Sequence, residues 1–268
     1  MLSLRLTALD SIPKRMRSPS ALALALAAFV VPAAADILIV ADEFPAMAVL
    51  SRRLKETEGI TSRVMAQTNM PAELAAFSAV IVYIHRELKE SAENAFIGYA
   101  ENGGKLVALH HSISSGKRQN AHWFKFLGVD LPPGEVGQGG YKWIEPATVS
   151  FVNLAPDHFI MTNQVRWPET VPFTTEAATV GTQRPGFTLH DSEVYLNHKL
   201  LGPRTILMGF RYVDPTSGKL WMQDRAGWVK PAGRGWIIYL EPGHSAKDFE
   251  SPVFSRLVLN AVIWQPPR

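Results

Sequence analysis

Histidines follow two apolar segments that are typical of buried strands. His110 and His111 come directly after residues 106–109, and His244 comes shortly after residues 236–240. A third, His158, lies in a turn-like segment after Pro156. Ligands of open parallel sheets bind at the carboxyl ends of the strands. Imidazole can act there as an acid, a base or a metal ligand near neutral pH.

The same histidines could instead be structural hydrogen-bonding groups. Successive residues of a strand point to opposite faces. We therefore expect at most one of His110 and His111 to face a given site. The serines that follow, Ser112 and Ser114, lack the G-x-S-x-G turn of a serine hydrolase.

Other polar and aromatic side chains fit a sugar ligand. Glu193 and Tyr195 alternate on a short strand and could bond sugar hydroxyls, and Trp143 could stack on a sugar ring. Asp157 is a further candidate for binding the sugar. Against this, Glu193 could be a solvated strand residue, and aromatic residues of hairpins usually serve packing.

A divalent metal such as zinc is a further possibility. His110, His158 or His244 could bind it together with Asp157 or Glu193. None of these histidines belongs to an H-x-x-x-H or H-x-H pair, so the spacing does not specify a metal site.

The elements that must position these residues change character along the chain. Strand-like segments alternate with helical ones in the first half, which predicts parallel βαβ units; the strands are expected at residues 36–40, 60–66, 79–84 and 105–109. The second half predicts short strands near residues 141–152 and 194–196. A hairpin is expected over residues 205–229, followed by a last buried strand and a closing helix capped by Ser251. Together these elements indicate an α/β fold with a mostly parallel sheet, flanking helices and an antiparallel hairpin extension.

Residues 1–35 have the features of a secretory signal. Lys14, Arg15 and Arg17 precede an 11-residue apolar run that ends in small residues, too short for the ~20 of a membrane span. With Met1 or Met16 as the start, we expect cleavage before Asp36. We therefore expect a single periplasmic or secreted domain over residues 36–268, with no membrane span.

Composition excludes several functions. The leader holds four Lys/Arg and one acid, so the remaining 233 residues carry 23 basic and 23 acidic side chains. These charges cancel, so nucleic acid is not an expected partner.

The chain has no cysteine, which excludes disulfides, thiolate catalysis and Cys-ligated metal.

Several motifs together resemble the trehalose-utilisation (ThuA-like) family over most of residues 37–264. They are Gly103-Gly104 leading to His110, Pro156-Asp157-His158, Asp191-Ser192-Glu193 with Tyr195, Pro242-Gly243-His244, and the closing run from Phe254 through Asn260 to Trp264. The resemblance implies a class I glutamine amidotransferase-like fold with a flavodoxin-like sheet. It favours His110 over His111 and supports His110, His158 and His244 as site residues.

The chain also departs from the family pattern. Phe159 replaces the usual proline after the Asp-His pair, and the opening loop is Ala41-Asp42-Glu43-Phe44 instead of a Gly- and His-rich segment. A ligand role for the first loop is therefore not expected. Amidotransferase catalysis by the usual thiolate is excluded because there is no cysteine.

Two functions remain open. The favoured one is an enzyme that acts on a small glycoside or oxidised (3-keto) sugar, with His110, His158 and His244 in acid–base chemistry and metal assistance as an option. The alternative is a sugar- or partner-binding module without catalysis. The two differ in whether the purified protein turns over a sugar.

Overall fold

The first half of the chain forms the parallel part of a large sheet, as the sequence predicts. The computed structural model describes residues 37–175 and 180–267. The strands of this half are β1 (Ile37–Ala41), β2 (Ser62–Met65), β3 (Val80–Tyr83) and β4 (Lys105–Leu109). They run parallel in the order β2-β1-β3-β4. Strands β1 and β3 are wholly buried, as expected for parallel strands covered on both faces.

Helices cover both faces of this part. The α-helical segments are α1 (Phe44–Glu58), α2 (Glu90–Glu101), α3 (Trp123–Leu127), α4 (Phe159–Thr162), α5 (Ala246–Phe249) and α6 (Pro252–Ile263). Leu50 of α1 and Leu257 of α6 pack in one apolar cluster, and Phe96 of α2 packs in another. The alternating strand residues divide between the same two clusters, so the helices lie on opposite faces. Ser251 caps α6 as predicted, because its hydroxyl accepts from the amide of Phe254.

The second half continues the same sheet with antiparallel strands. Its strands are β5 (Val129–Asp130), β6 (Lys142–Asn153), β7 (Glu169–Phe173), β8 (Thr182–Leu196), β9 (Lys199–Leu200), β10 (Thr205–Val213), β11 (Leu220–Ala232) and β12 (Gly235–Leu240). Strand β12 pairs parallel with β4, and the order then runs β12-β11-β10-β6-β8-β7. Strands β5 and β9 form a separate small pair.

The predicted α/β class is confirmed, but the second half is more than a hairpin extension. The β10–β11 hairpin forms as predicted. Strand β8 is 15 residues long where the sequence predicted three, and β7 was not predicted. Strand β8 depends on pairing with β6, an earlier segment of the chain, and β7 adds to β8 on its other side. Such ladders depend on cross-strand contacts more than on local propensity.

The expected leader, residues 1–35, lies outside the described residues, as does the expected mature terminus Asp36. Among the helices that the structure describes, none combines the length and apolarity needed to cross a bilayer.

Candidate active site

Three strands deliver the site residues to one place. Strand β4 ends at Leu109, and the chain turns at once into a 3₁₀ helix, His110–Ile113. Strand β12 ends at Leu240 and leads to His244, while Glu193 and Tyr195 lie on β8. The centroids of the His110 and His244 rings lie 5.4 Å apart. The histidines that follow these two strands therefore meet at one edge of the sheet.

The carboxylate of Glu193 is the centre of the site. Its Oε2 atom lies 2.8 Å from His110 Nε2 and accepts a hydrogen bond from the Tyr195 hydroxyl at 3.0 Å. His244 Nδ1 lies 3.3 Å and His111 Nε2 3.8 Å from the same oxygen. Burial raises the pKa of Glu193, but hydrogen bonds and charge from His110 and His244 outweigh it and hold that pKa at about 2. Glu193 is therefore a carboxylate at neutral pH.

His110 lies behind this carboxylate and is fully buried. Its Nδ1 faces the backbone carbonyl of Glu241, and its Nε2 faces Glu193. Both partners are acceptors, and a neutral imidazole can donate only one hydrogen bond. The contact with Glu193 therefore needs either a second proton or another cation.

His244 lies between two carboxylates. Its Nε2 is 2.9 Å from Glu145 Oε1, and its Nδ1 faces Glu193. Burial lowers the pKa of His244, but hydrogen bonds and charge from Glu193 and Glu145 outweigh it and raise that pKa to about 9. In the metal-free protein His244 is an imidazolium ion at neutral pH.

His111 is neutral and buried, with 1 % of its surface exposed. Its ring stacks on His85 at a centroid distance of 4.1 Å. Burial, and then the charges of His110, His85 and His244, hold the pKa of His111 far below its usual range. Within residues 37–175 and 180–267, neither of its ring nitrogens has a hydrogen-bond partner.

A cavity of about 440 Å³ opens over these groups. His111, Glu193 and His244 line it, and Tyr195, Trp143 and Glu145 complete the polar and aromatic wall. Trp143, 47 % exposed, is available to a ligand. A volume of this size suits a small molecule. A larger cavity of about 1020 Å³ lies at the amino ends of the strands beside Lys105 and Trp236, away from this cluster.

The prediction that His158 joins the site is wrong. Its ring packs 5.2 Å from that of Trp264, whose carbonyl accepts from Lys105 at the start of β4. His158 therefore lies at the amino ends of the strands, where its Nδ1 accepts from the amide of Ile160 and caps α4. The exposed Asp157 beside it goes to the same end, so neither residue can share a metal or substrate with His110.

The expectation that only one of His110 and His111 faces the site is also wrong. Strand alternation ends at Leu109, and His110 adopts a φ of 30° that begins the 3₁₀ turn. Both rings consequently approach Glu193, and it is His111 that lines the cavity.

Two further site residues were missed. His85 follows the end of β3, so the strand-end rule applied to His110 would have found it. Its Nδ1 lies 2.9 Å from Glu43 Oε1, which gives the first loop a role that the sequence did not predict. Glu145 is two residues from Trp143 on β6 and faces the same cavity, a spacing that was readable in the sequence.

Comparison with known proteins decides the family. The ThuA family model, described as trehalose utilisation, matches residues 39–265. The chain belongs to the ThuA family. The resemblance predicted from its motifs is thereby confirmed. No curated protein matches the chain closely enough to count as a relative.

A solved ThuA-like structure shares the fold of this chain. A ThuA-like protein from Bacteroides uniformis superposes with a TM-score of 0.57 at 16% identity, over 86% of this chain and 91% of that one. A β-galactosidase from Rahnella sp. R3 gives a TM-score of 0.50 at 13% identity, over 82% of this chain and 30% of that one. A glutamine amidotransferase from Thermotoga maritima gives 0.42 at 8% identity, over 77% and 75%. Membership of the ThuA family indicates a carbohydrate-related role.

Proposed function

We propose that this protein is an exported enzyme that transfers protons next to a carbonyl group of a small glycoside or oxidised (3-keto) sugar. The observation that carries the proposal is the arrangement at the base of the cavity. There Glu193 holds the imidazolium of His244 beside a second carboxylate, that of Glu145, and all three residues line the cavity. An acid and a base in one small cavity are the two groups that such a reaction needs.

The roles follow from the protonation states. His244 has a proton to donate, since two carboxylates keep its ring charged. Glu145 offers a carboxylate that lines the same cavity and lies 2.9 Å from His244. In the proposed step Glu145 takes the proton from the carbon beside the carbonyl, and His244 protonates the carbonyl oxygen. The enediol that results is an intermediate. Glu145 returns its proton to the former carbonyl carbon, and His244 takes the proton of the neighbouring hydroxyl. An isomerised sugar leaves, both groups are restored, and no further reactant is required.

Other residues would bind and orient the sugar. The exposed face of Trp143 offers a stacking surface for the ring, and the neutral ring of His111 lines the same cavity. Tyr195 and His110 act through Glu193, which both of them hydrogen-bond. They are positioning residues.

The test is a panel of glycosides and 3-keto-glycosides with purified protein, with and without chelator. We expect turnover of at least one keto sugar and a 10²–10⁴-fold loss in His244→Gln, the usual effect of removing one general acid. His158→Ala is the matched control, because this histidine lies at the other end of the sheet. Saturable sugar binding without turnover would contradict the proposal and favour the binding module.

A further inference from the structure

We propose that His110, His111, Glu193 and His244 bind one divalent transition-metal ion, and that zinc fits them best. Each of the four offers one ligand atom, and these atoms all lie within 4.8 Å of one another. This set differs from the one that the sequence indicated, since His111 joins it and His158 and Asp157 do not. The role of the ion in catalysis rests on the proposed function, but its binding does not.

The spacing of the ligand atoms matches a tetrahedral ion. Zinc bonds nitrogen and oxygen at about 2.0–2.1 Å, so tetrahedral ligands lie roughly 3.3 Å apart. The three nitrogens lie 2.8, 3.3 and 3.8 Å from Glu193 Oε2, and these nitrogens belong to His110, His244 and His111 respectively. These three distances bracket the tetrahedral spacing, and the four ligand atoms all lie within 4.8 Å of one another, so side-chain adjustment would bring them onto one ion.

The outer nitrogens of two rings are already fixed by acceptors. His110 Nδ1 donates to the carbonyl of Glu241, and His244 Nε2 lies 2.9 Å from Glu145 Oε1. Metal-binding histidines almost always donate their other N–H to a carbonyl or a carboxylate in this way. With protons on His110 Nδ1 and His244 Nε2, the other nitrogen of each ring presents its lone pair towards Glu193.

His111 gives a second, independent argument. It is buried, and its Nε2 faces Glu193 without a hydrogen-bond partner among the residues described. A buried polar atom without a partner costs about 1–3 kcal/mol. A metal ion at the centre of the four atoms would satisfy this nitrogen.

The donor set favours zinc over harder ions. Three imidazoles and one carboxylate suit a borderline ion, whereas magnesium and calcium prefer oxygen ligands. A sugar oxygen that joined the four protein atoms as a fifth ligand would be polarised by the ion in place of the acidic proton of His244, and Glu145 would still be available as the base. Both forms of the site would therefore act on the same class of substrate.

The proposal is tested by measuring zinc binding to the mature protein after treatment with a chelator. Titration calorimetry gives the affinity, and elemental analysis gives the number of ions per chain. We expect one ion per chain, and at least 100-fold weaker binding in both Glu193→Gln and His111→Ala. Glu145→Gln should weaken binding about 10- to 100-fold, since it removes only the outer partner of His244. Cobalt(II) should give the visible spectrum of a tetrahedral site. That readout needs no variant, so it stands even if His111→Ala fails to fold.

His158→Ala is the matched control and should bind zinc as the wild type does. No binding by the wild type, or full binding by Glu193→Gln and His111→Ala, would overturn the metal site. Turnover that persists after complete chelation would remove the ion from catalysis while leaving the proposed enzyme. One bound zinc without turnover of any sugar would support the metal site and contradict the proposed function.

Discussion

Oε2 of Glu193 lies 2.8 Å from Nε2 of His110, although 83 residues separate the two along the chain. Glu193 comes from the long antiparallel strand β8, and His110 from the turn after the parallel strand β4. The site therefore lies where the two halves of the sheet meet. Its chemistry depends on both halves folding together.

Glu193→Gln should remove the charge that organises the site while keeping its shape. We expect turnover of the keto-sugar substrate to fall 10²–10⁴-fold, and the free energy of unfolding to fall by about 1–3 kcal/mol, because buried donors lose a charged acceptor. Activity assays and urea unfolding measure the two effects. Glu56→Gln, an exposed change on α1, should alter neither. Wild-type activity in Glu193→Gln would show that the cluster is not the active site.

His110→Ala should be mainly a stability variant. The ring is fully buried and contacts the Glu241 carbonyl and the Glu193 carboxylate, so we expect a loss of about 1–3 kcal/mol and a clear drop in melting temperature. Turnover should fall too, since Glu193 loses a positioning contact. Lost turnover at an unchanged melting temperature would instead give His110 a direct catalytic role.

The stability of chelated protein should depend on pH through His244. Its pKa in the fold, about 9, lies above the ordinary value of 6.5. The stabilisation from its charge is therefore fully present below pH 6.5 and lost as the pH rises through about 9. Urea unfolding at pH 6 and pH 10 should show a smaller decrease in His244→Gln than in wild type. Equal decreases would mean that Glu193 and Glu145 do not hold the ring charged.

Trp143→Ala should weaken sugar binding with little effect on the fold. The side chain is 47 % exposed, so its removal costs little packing, whereas a lost aromatic contact of about 0.5–1.5 kcal/mol weakens binding roughly 2- to 10-fold. Calorimetry with the sugar panel, beside KM, measures this. Phe159→Ala, an exposed aromatic residue near His158, is the control and should bind sugar normally. Unchanged affinity in Trp143→Ala would place the sugar elsewhere.

Export should remove the first 35 residues. Intact-mass measurement of the protein from a secreting host should give a chain that begins at Asp36, because small residues precede that position. Recovery of the whole chain in the membrane fraction would contradict both the leader and the expected compartment. Asp36→Pro, which places proline directly after the expected cut, should slow processing.

The sequence by itself determined the parallel half and two of the site histidines. The apolar runs that became β1, β3 and β4 carry a local signal, since a strand buried on both faces is continuously apolar. The rule that ligands bind at the carboxyl ends of parallel strands then placed His110 and His244 together. The absence of cysteine excluded thiolate chemistry without any structure.

Only the tertiary structure decided which other groups complete the site. Glu193 becomes its centre because β8 pairs with β6, a non-local ladder that no local pattern specifies. His111 joins the site because the backbone turns at His110, which ends the alternation of the strand. His158 leaves it because α4 packs against the end of α6, so its ring meets Trp264 at the opposite end of the sheet. Contacts between distant segments fixed the positions of Glu193 and His158, and such contacts leave little trace in the residues nearby. The position of His111 was fixed by the left-handed backbone of His110, a conformation that the strand pattern before it does not predict.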